Sequence, residues 1–542
     1  MPDPAPARPY DHDSTVVGML QSLIVAFVLA MTFRGFVVEG FVIPTGSMAP
    51  TLLGQHLRIH SEQTGWDFPV GYDARLNNPR FGRISLGNVV DPMLGPEYPL
   101  AGVSRQQART RMGDRILVVK NLYRFFDPSR FDVIVFKNPT DPNGAAGNYI
   151  KRLIGLPNES IWLVDGDVFA GSAENPSDFD SYEIQRKPEH IQRAVWQPVF
   201  HSDYLPAHPE SMDVFYRGVP WQGEGWETEG RRRYRCETAE PTVLRWDEDV
   251  RSIDDWAPYN MLTPVAARRR FPVNDLRVAA AVVPDEDGLE MVFRLKVRGY
   301  EYEYTIRGAA ARLRMRPLGE DGEPATEDGQ GPAGEFTIKP LRAGEPADVE
   351  FWHVDQAMAI FLGGKRVAYY EYDWRPAQRL RNAAGTDDDL DALAALNHTR
   401  PAELEWEFRG SPVTLHRVRL DRDLFYRPDR LTEHAQKNPP SEDFGDVVVP
   451  RNYACGTHPE NLAILGPDHF FMLGDNSAAS SDSRLWGNPH PLTAVQIDPS
   501  PFVVHRKLLL GKAWGVYFPA PLPITEGGKS IIPDFGRLRF IR

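Results

Sequence analysis

The chain has 542 residues, of which 42% are hydrophobic and 25% charged, and its formal net charge is −13. This length exceeds what one ordinary hydrophobic core supports, so we expect two or three domains. The acidic balance argues against a nucleic-acid-binding surface. Two cysteines, Cys236 and Cys455, are too few for a disulfide framework or a thiolate zinc site, although one bridge between them stays open.

The first predicted element is a helix close to the N-terminus. No charged residue lies between Asp13 and Arg34, and as a helix this run would extend about 30 Å, the thickness of the hydrocarbon core of a bilayer. A cleaved signal peptide would have a shorter apolar region, a basic start and a small-x-small cleavage site. We therefore predict a tail at 1–13 and a retained transmembrane anchor at 14–34. The weak charge bias of the flanks leaves the orientation open.

A serine on a glycine-supported turn follows the predicted anchor. Ser47 stands directly after Gly46 in the stretch 41–53. A serine hydroxyl is a weak nucleophile unless a base takes its proton, and no G-x-S-x-G motif points to a histidine triad. A lysine can act as that base if burial keeps it neutral.

Three β-strands are predicted after a loop-rich insertion at 55–111. They lie at 115–120, 130–136 and 149–157, which are rich in β-branched and aromatic residues. The third contains Lys151 among apolar residues, and this is unusual because lysine is almost never fully buried. The alternative is a lysine at a sheet edge whose ammonium group reaches solvent.

The sequence between about 160 and 440 predicts a separate β-domain. Apolar and charged residues alternate along 293–298 and 300–306, as in strands with one buried face. Such strands, joined by turns, favour an antiparallel β-sandwich, and the part around 349–367 loosely resembles concanavalin-like sandwiches. We predict an inserted sandwich of concanavalin-like or jelly-roll type at 161–440. Because the ends of this insertion must come close together, we hypothesise that residues near 165 to 435 form a satellite domain dispensable for the chemistry.

The remaining segment, 441–542, returns to the pattern of the first part. An aromatic strand at 469–473 leads into a polar loop at 474–487 that is dense in aspartate, serine and arginine. A solvated turn does not need this density, although a surface loop remains the alternative. A closing strand region is predicted at 503–518.

Four of these stretches, in order behind an apolar N-terminal run, resemble the sequence boxes of the type I signal peptidases, the membrane-anchored Ser-Lys endopeptidases of family S26. The serine box is matched by 41–53, the second box by 130–136, the lysine box by 149–159 and the last box by 474–484. Each box alone is a modest match, and all four in this order are a specific one. The resemblance leaves the middle of the chain unexplained.

The resemblance implies a role for each matching residue. Ser47 would be the nucleophile and Lys151 the general base, whose proton would be lost through desolvation among apolar neighbours. The rival lysines, Lys120 and Lys137, lie outside the lysine box. The implied supporting residues are Thr45 for the oxyanion, Ser480 for aiming the lysine, and Asp475, Asp482 and Arg484 for an ion-pair scaffold. The implied walls of shallow pockets for small substrate residues at −1 and −3 are Phe41, Ile43, Met48, Leu52, Tyr149 and Ile150.

The chain also departs from the family pattern at several positions. Phe131 and Asn158 stand where the family has glycine, and Thr45 stands where it often has serine. The stretch 477–479 replaces an Arg-x-Asn, which weakens the expected scaffold. The insertion at 55–111 separates the serine box from the Gly-Asp pair that usually follows it.

The predicted fold class is mainly β. A signal-peptidase-like β catalytic core, formed by 35–160 and 441–542, would stand on one N-terminal transmembrane helix and be split by the large inserted antiparallel β-sandwich. The resemblance implies removal of N-terminal signal peptides from secreted preproteins on the extracytoplasmic side of the cell membrane. The implied partners are preproteins, the lipid bilayer and the secretion translocon, with no cofactor, metal or nucleic acid. The alternatives are a dedicated processing protease of the same family and a membrane-anchored surface-binding protein with an inert protease core.

Overall fold

The chain is mainly β in the part that the structure describes. This computed structural model describes residues 12–71, 89–95, 100, 109–142, 147–206, 208–212, 216–229, 232–262, 269–319, 321–324, 333–396, 399–428, 453–523 and 530–542. Strands and helices are numbered below in chain order, and all strand pairs within the sheets are antiparallel. The predicted mainly-β class is confirmed.

Helix α1 (His12–Phe36) begins the described chain. From residue 16 to 32 its apolar side chains are exposed. Its last turn is tied to the protein, because Lys120 Nζ donates to the Gly35 carbonyl and Asn121 Nδ2 to the Phe36 carbonyl, each at 3.1 Å. Among the residues whose side chains are described, no helix is long and apolar enough to cross a membrane. The predicted anchor therefore stays a prediction.

An eight-stranded sheet carries the first and the last parts of the chain. In spatial order its strands are β1 (Val38–Val42), β5 (Arg115–Lys120), β29 (Leu509–Phe518), β6 (Val133–Lys137), β7 (Asn148–Gly155), β27 (His469–Leu473) and β28 (Val504–His505), and β32 (Arg539–Phe540) pairs with β29. Val133 and Val135 pack into one apolar cluster, and Ile134 and Phe136 into another. Because side chains alternate along a strand, both faces of this sheet are buried around β6.

The insertion predicted as loop-rich contains a three-stranded sheet. Strand β2 (His56–His60) pairs with β3 (Asp67–Gly71) on one side and with β4 (Arg109–Arg111) on the other. Alternate residues such as Ile59 and Phe68 share one apolar cluster. Strands this short give too few alternations for a clear pattern in the sequence. Most of the chain between β3 and β4 lies outside the described residues.

A four-stranded sheet crosses the domain boundary predicted at residues 160 and 161. Its order is β10 (Glu183–Ile184), β9 (Asp167–Ser172), β8 (Glu159–Val164) and β26 (Ala463–Ile464). Strand β8 therefore pairs with a strand from the last segment of the chain and not with the sandwich. The second predicted boundary, at 440, lies outside the described residues.

Two sheets packed face to face form the middle of the chain. The first, in spatial order, contains β13 (Trp226–Glu229), β14 (Arg233–Cys236), β25 (Val413–Arg422), β16 (Leu276–Pro284), β21 (Ala347–Val354), β22 (Ala357–Leu362) and β23 (Lys365–Glu371), with β11 (Gln197–His201) paired to β25. The second contains β12 (Trp221–Gln222), β15 (Thr242–Trp246), β24 (Glu403–Arg409), β17 (Glu290–Val297), β18 (Tyr300–Arg307), β19 (Ala310–Pro317) and β20 (Ala333–Thr337). Across the core, the rings of Phe293 and Phe351 stack with centroids 5.2 Å apart. The predicted antiparallel sandwich is confirmed.

Short elements complete the described fold. They are α2 (Glu189–Val195), α3 (Pro376–Ala384), α4 (Leu390–Leu396), α5 (Pro491–Gln496), and a small sheet of β30 (Leu522–Pro523) and β31 (Ser530–Ile532). Cys236 lies in the core of the sandwich and Cys455 in the cluster beneath β8 and β9. Both thiols are buried and free, so the bridge left open by the sequence is not formed.

Candidate active site

The predicted nucleophile and base meet although 104 positions separate them in the chain. Ser47 lies half-buried on the loop that follows β1, and Lys151 lies in the middle of β7. Lys151 Nζ is 2.6 Å from Ser47 Oγ, within hydrogen-bond distance. Strand β6 lies beside β7 with Ile134 opposite Lys151, which fixes the backbone from which the lysine extends.

Burial changes the acidity of Lys151. Its side chain is 3% exposed, and desolvation lowers the pKa of its ammonium group to about 8, against the opposing charges of Asp482 and Asp475. An amine with this pKa is partly neutral near pH 7 and can accept a proton. The rival lysines do not share this environment: Lys120 pairs with Glu39 at 3.0 Å, and Lys137 is exposed.

A buried ion pair holds the strand of the lysine against the last box. Arg152 donates to Asp475 through Nε at 2.8 Å and through Nη2 at 2.6 Å, and neither side chain is exposed. Thr51 Oγ1, from the loop of Ser47, donates to the same carboxylate at 2.5 Å. Asp475 therefore joins three segments of the site. The sequence analysis did not assign a role to Arg152 or Thr51. Arg152 could have been found, because it is a second charged residue directly after Lys151 in a predicted strand that is otherwise apolar.

A second buried ion pair shapes the loop after β27. Arg484 donates to Asp482 through Nε and Nη2, each at 2.9 Å, and the Gly474 N–H donates to the same carboxylate at 3.1 Å. Burial opposes ionisation of Asp482, but the Arg484 guanidinium outweighs it and holds the pKa of that carboxyl below its usual value. Arg484 also donates to the Ser477 hydroxyl at 2.8 Å. In this chain the stretch 477–479 stands where the family has Arg-x-Asn. Through its hydrogen bond with Arg484, Ser477 supplies part of the scaffold at this position.

Ser480 lies close to the loop of Ser47 but makes no hydrogen bond to the lysine. Its side chain is 2% exposed, and its hydroxyl has no hydrogen-bond partner among the described residues. It packs against Gly474, where any side chain would collide with Ser480 Oγ and with the carbonyl oxygen of Ser47. The structure therefore brings Ser480 close to the loop of Ser47, but the hydrogen bond expected between Ser480 and Lys151 is not formed.

The inserted domain contacts the loop of the nucleophile directly. Asn476 donates its N–H to the Ser47 carbonyl and its Nδ2 to the Gly46 carbonyl, each at 3.0 Å. The side-chain amides of Asn476 and Asn260 exchange two hydrogen bonds, at 2.7 and 2.8 Å. Asn260 belongs to the insert, and its neighbour Tyr259 packs so closely on Gly46 that a side chain there would collide with the ring. No sequence signal marked these two insert residues.

Five of the six predicted pocket residues gather beside Ser47. Ile43, Met48 and Leu52 are at most 3% exposed and belong to one apolar cluster. Phe41 and Ile150 are half-buried and pack against that cluster. The sixth residue lies apart from it: Tyr149 packs with Phe136 and Trp486, and its ring centroid is 5.2 Å from Lys151 Nζ. Thr45, two residues before Ser47, is exposed.

Among the described residues, one group of carboxylates has the composition of a metal site. The buried side chains of Asp167, Asp275, Asp355 and Asp423 bring oxygen atoms within 4.8 Å of one another. Lys187 Nζ lies 2.5 Å from Asp355 and 2.8 Å from Asp423. An ammonium group of the chain itself thus occupies this position, where β8 and β9 meet the sandwich.

Comparison with known proteins identifies relatives of part of the chain. The family described as "Signal peptidase, peptidase S26" matches residues 98–205, which include Lys151 and begin after Ser47. Signal peptidase I of Pseudomonas aeruginosa is 27% identical over 161 residues, covering 30% of this chain and 39% of that protein. Signal peptidase I of Rickettsia bellii is 28% identical over 159 residues, covering 29% and 41%. The chain thus spans about two fifths of the length of these relatives, and the resemblance to type I signal peptidases is confirmed.

Solved structures similar to this chain include a galectin and a carbohydrate-binding module. A galectin of Caenorhabditis elegans covers 27% of this chain and 83% of its own, with 14% identity and a TM-score of 0.18. The carbohydrate-binding module CBM66 of Bacillus subtilis covers 38% of this chain and 97% of its own, with 8% identity and a TM-score of 0.21. Both scores are too low to support a statement about the fold or the ligand of the insert.

Proposed function

We propose that this chain, which resembles the type I signal peptidases of family S26, is a membrane-bound serine endopeptidase with a Ser47–Lys151 dyad. It removes N-terminal signal peptides from secreted preproteins and cleaves after small residues at −1 and −3. The observation that carries the proposal is the 2.6 Å distance between Lys151 Nζ and Ser47 Oγ, made by a lysine that is almost completely buried.

In the first step, neutral Lys151 takes the proton of Ser47 Oγ while Oγ attacks the carbonyl carbon of the scissile peptide bond. The lowered pKa of Lys151, about 8, supports this role because a useful fraction of the amine is unprotonated near neutral pH. The carbonyl oxygen becomes the oxyanion of a tetrahedral intermediate. The backbone N–H of Ser47 and the hydroxyl of Thr45 stabilise that charge.

In the second step, the Lys151 ammonium group returns its proton to the leaving amine and the peptide bond breaks. The signal peptide is then bound to Ser47 as an ester, and the mature protein leaves. A water molecule then attacks the ester carbonyl while Lys151 takes its proton. Lys151 returns this proton to Ser47 Oγ as the bond between Oγ and the acyl carbon breaks, so the serine is restored and the signal peptide leaves with a free carboxyl group. Asp475, Asp482 and Arg484 act as positioning residues, since their buried ion pairs hold the loop and strand that carry the dyad. Ser480 is also proposed as a positioning residue, since it packs against Gly474 close to the loop of Ser47.

The apolar cluster beside Ser47 supports a preference for small residues. Ile43, Met48 and Leu52 are buried in one apolar cluster, and the half-buried Phe41 and Ile150 pack against it. In the proposal, the first three form the floor of a shallow substrate pocket and the other two form its walls. A shallow, closed floor accepts alanine or glycine and excludes longer side chains by collision.

Helix α1 supports the location at the membrane. From residue 16 to 32 its apolar side chains are exposed, and hydrogen bonds from Lys120 and Asn121 fix its end to the catalytic sheet. The aromatic side chains of Phe36, Phe125 and Phe126 are exposed near this end, at 69%, 81% and 67%, which suits the interface of a bilayer. In the proposed topology this single helix holds the catalytic domain on the extracytoplasmic side, where preproteins leave the secretion translocon.

The insert is proposed as a concanavalin-like or jelly-roll-like sandwich that presents or selects substrates. Two facing antiparallel sheets support the architecture. The hydrogen bonds between Asn260 and Asn476 favour a second candidate function, a processing protease of the same family dedicated to one partner protein. An insert in contact with the loop of the nucleophile can couple recognition of that partner to cleavage.

Cleavage of a labelled preprotein by the purified full chain in detergent tests the proposal, with Ser47→Ala as the control. We expect release of the mature protein by the wild type and no release by the variant. Equal cleavage by both proteins would overturn the proposal. A panel of unrelated preproteins separates the two candidates, since a general signal peptidase cleaves many of them and a dedicated protease cleaves one.

A further inference from the structure

A cavity of about 280 Å³ lies where the insert, the three-stranded sheet and the loop of Ser47 meet. Its wall on the side of the serine loop is formed by Ala49 and Pro50. The opposite walls are mostly aromatic and apolar, and they include Trp66, Phe68 and Trp256. Enclosed apolar cavities at the junction of domains are the usual places for small-molecule ligands. At ~30 Å³ for one water molecule, this space holds roughly nine non-hydrogen atoms.

Two buried arginines line the same cavity, Arg251 and Arg422, with 5% and 4% exposure. Arg251 donates to three backbone carbonyls, those of Pro92, Met93 at 2.6 Å and Val199 at 3.2 Å. Arg422 donates to the carbonyls of Asp423 at 2.9 Å and Trp256 at 3.3 Å. In the described part of the chain, neither guanidinium group has a carboxylate within ion-pair distance. Burial lowers the pKa of Arg251 to about 10 and also lowers that of Arg422, but both stay charged at neutral pH.

Every other buried arginine of the described residues is matched by a carboxylate. These pairs are Arg152 with Asp475, Arg298 with Asp165, Arg379 with Asp167, Arg427 with Asp255, and Arg484 with Asp482. A buried cation without an anion is costly, which is why such groups are normally paired. Two exceptions that line one cavity therefore point to an anion supplied from outside the chain.

The other charged residues of the cavity wall already have partners. Asp254 accepts hydrogen bonds from the Ser252 hydroxyl at 3.0 Å and the Trp256 N–H at 2.9 Å. Asp67 pairs with Arg58 and His60 at its exposed edge. Arg537, the third arginine of the wall, pairs with Asp114 at 3.0 Å. Nearby carboxylates act on the two arginines without pairing with them: Asp91 and Asp254 raise the pKa of Arg251, and Asp255, Asp254 and Asp423 raise that of Arg422, but burial outweighs them in both cases. Among the described residues of the cavity wall, Arg251 and Arg422 are thus the arginines that have no direct ion pair.

We propose that this cavity binds a small amphipathic carboxylate, with its apolar body against Trp66, Phe68 and Trp256 and its carboxylate held by Arg422 and Arg251. The aromatic walls favour an aryl group, because flat rings pack well against tryptophan and phenylalanine. The planar guanidinium groups favour a carboxylate, which accepts two parallel hydrogen bonds from arginine. An occupied cavity also supports the serine loop from behind, through Ala49 and Pro50.

Phenylacetate is the probe, and the neutral 2-phenylethanol and the cationic 2-phenylethylamine are its matched controls. Titration calorimetry on the full chain in detergent should detect binding of phenylacetate, and its unfolding temperature should rise with phenylacetate concentration. Neither control should bind. If phenylacetate does not bind, or if the amine binds as well as the acid, the proposal is wrong.

The variant Arg422→Met tests the assigned contact, beside Arg307→Met, which removes an exposed arginine of the same sandwich. We expect about tenfold weaker binding in Arg422→Met, since a charge-assisted contact is lost, and unchanged binding in Arg307→Met. Unchanged binding in a folded Arg422→Met protein would overturn the assignment. If that variant does not fold, the comparison of the three ligands on the wild type decides alone.

The carboxylate could belong to a free metabolite or to the C-terminus of a peptide. N-acetylglycine and its amide, which are both small enough for the cavity, distinguish these sources of the same chemistry. Tighter binding of N-acetylglycine than of phenylacetate supports a peptide C-terminus, and the reverse order supports a free aryl carboxylate. Equal, detectable binding of N-acetylglycine and its amide would contradict a carboxylate site.

Discussion

The side-chain amides of Asn260 and Asn476 exchange two hydrogen bonds, and this pair connects the inserted domain to the loop of the candidate nucleophile. Both residues are 5% exposed. Asn476 also holds the carbonyls of Gly46 and Ser47. The hypothesis of a dispensable satellite domain did not foresee such a contact, and it makes Asn260 a candidate positioning residue.

For Asn260→Ala, we expect kcat to fall about tenfold with little change in KM, because an unsatisfied buried amide costs roughly 1–3 kcal/mol and loosens Asn476. The control is Asn274→Ala, which removes a buried amide whose Nδ2 donates to the Arg400 carbonyl within the insert. A double-mutant cycle with Asn476→Ala should give a coupling energy of about 1 kcal/mol in the activation free energy. Additive effects, or an equal loss in Asn274→Ala, would mean that Asn260 acts only through overall stability.

Ser47→Ala and Lys151→Ala should each abolish cleavage and leave the fold intact. Removing one member of a cooperating pair typically costs at least about 10³-fold in kcat. Lys151→Arg should fail as well, because a guanidinium group does not give up its proton near neutral pH. Turnover is measured on a labelled preprotein, and circular dichroism checks the fold. A folded Lys151→Ala protein with more than about a tenth of wild-type turnover would exclude Lys151 as the base.

Activity should rise with pH through a single titration near 8. The neutral amine of Lys151 is the active form, its pKa is lowered to about 8 by burial, and the neutral fraction grows as the pH passes that value. The dependence of kcat/KM on pH reports this group in the free enzyme. A profile that is flat from neutral to mildly alkaline pH would contradict the assignment, as would a limb that a histidine substitution removes.

Arg152→Met should destabilise the protein strongly. It leaves Asp475 buried without its cation, and the loss of one partner of a buried pair costs about 3–5 kcal/mol. The control is Arg245→Met, because Arg245 is exposed and its pair with Glu405 contributes at most about 1 kcal/mol. Denaturant unfolding of both variants gives the free energies. Similar values for the two would show that the Arg152–Asp475 pair does not hold the site together.

Replacement of residues 187–428 by a short Gly/Ser linker should reduce kcat at least as far as Asn260→Ala does. The contacts of Asn260 and Tyr259 with the serine loop are the reason for this expectation. Circular dichroism and turnover of a peptide with small residues at −1 and −3 provide the measurement. A folded linker protein with wild-type turnover would restore the hypothesis that the insert is dispensable.

The sequence by itself determined the parts of this protein that depend on local pattern and on residue identity. Alternation of apolar and charged residues was enough to predict the sandwich, because one buried face of a strand imposes a period of two. The four boxes were enough to select Ser47 and Lys151, two residues whose chemistry is defined by their own side chains. The burial that tunes Lys151 could be foreseen from its apolar neighbours.

Only the tertiary structure decided the relationships between segments that are distant in the chain. Asn260, Tyr259 and Arg152 carry no local signal, since an asparagine or an arginine looks the same in a sequence whether it faces solvent or closes a buried network. The free state of Cys236 and Cys455 and the position of Ser480 also depended on how sheets pack, as did the unmatched charges of Arg251 and Arg422. Hydrogen bonds and ion pairs act over about 3 Å, and which groups come that close is set by the packing of the whole chain.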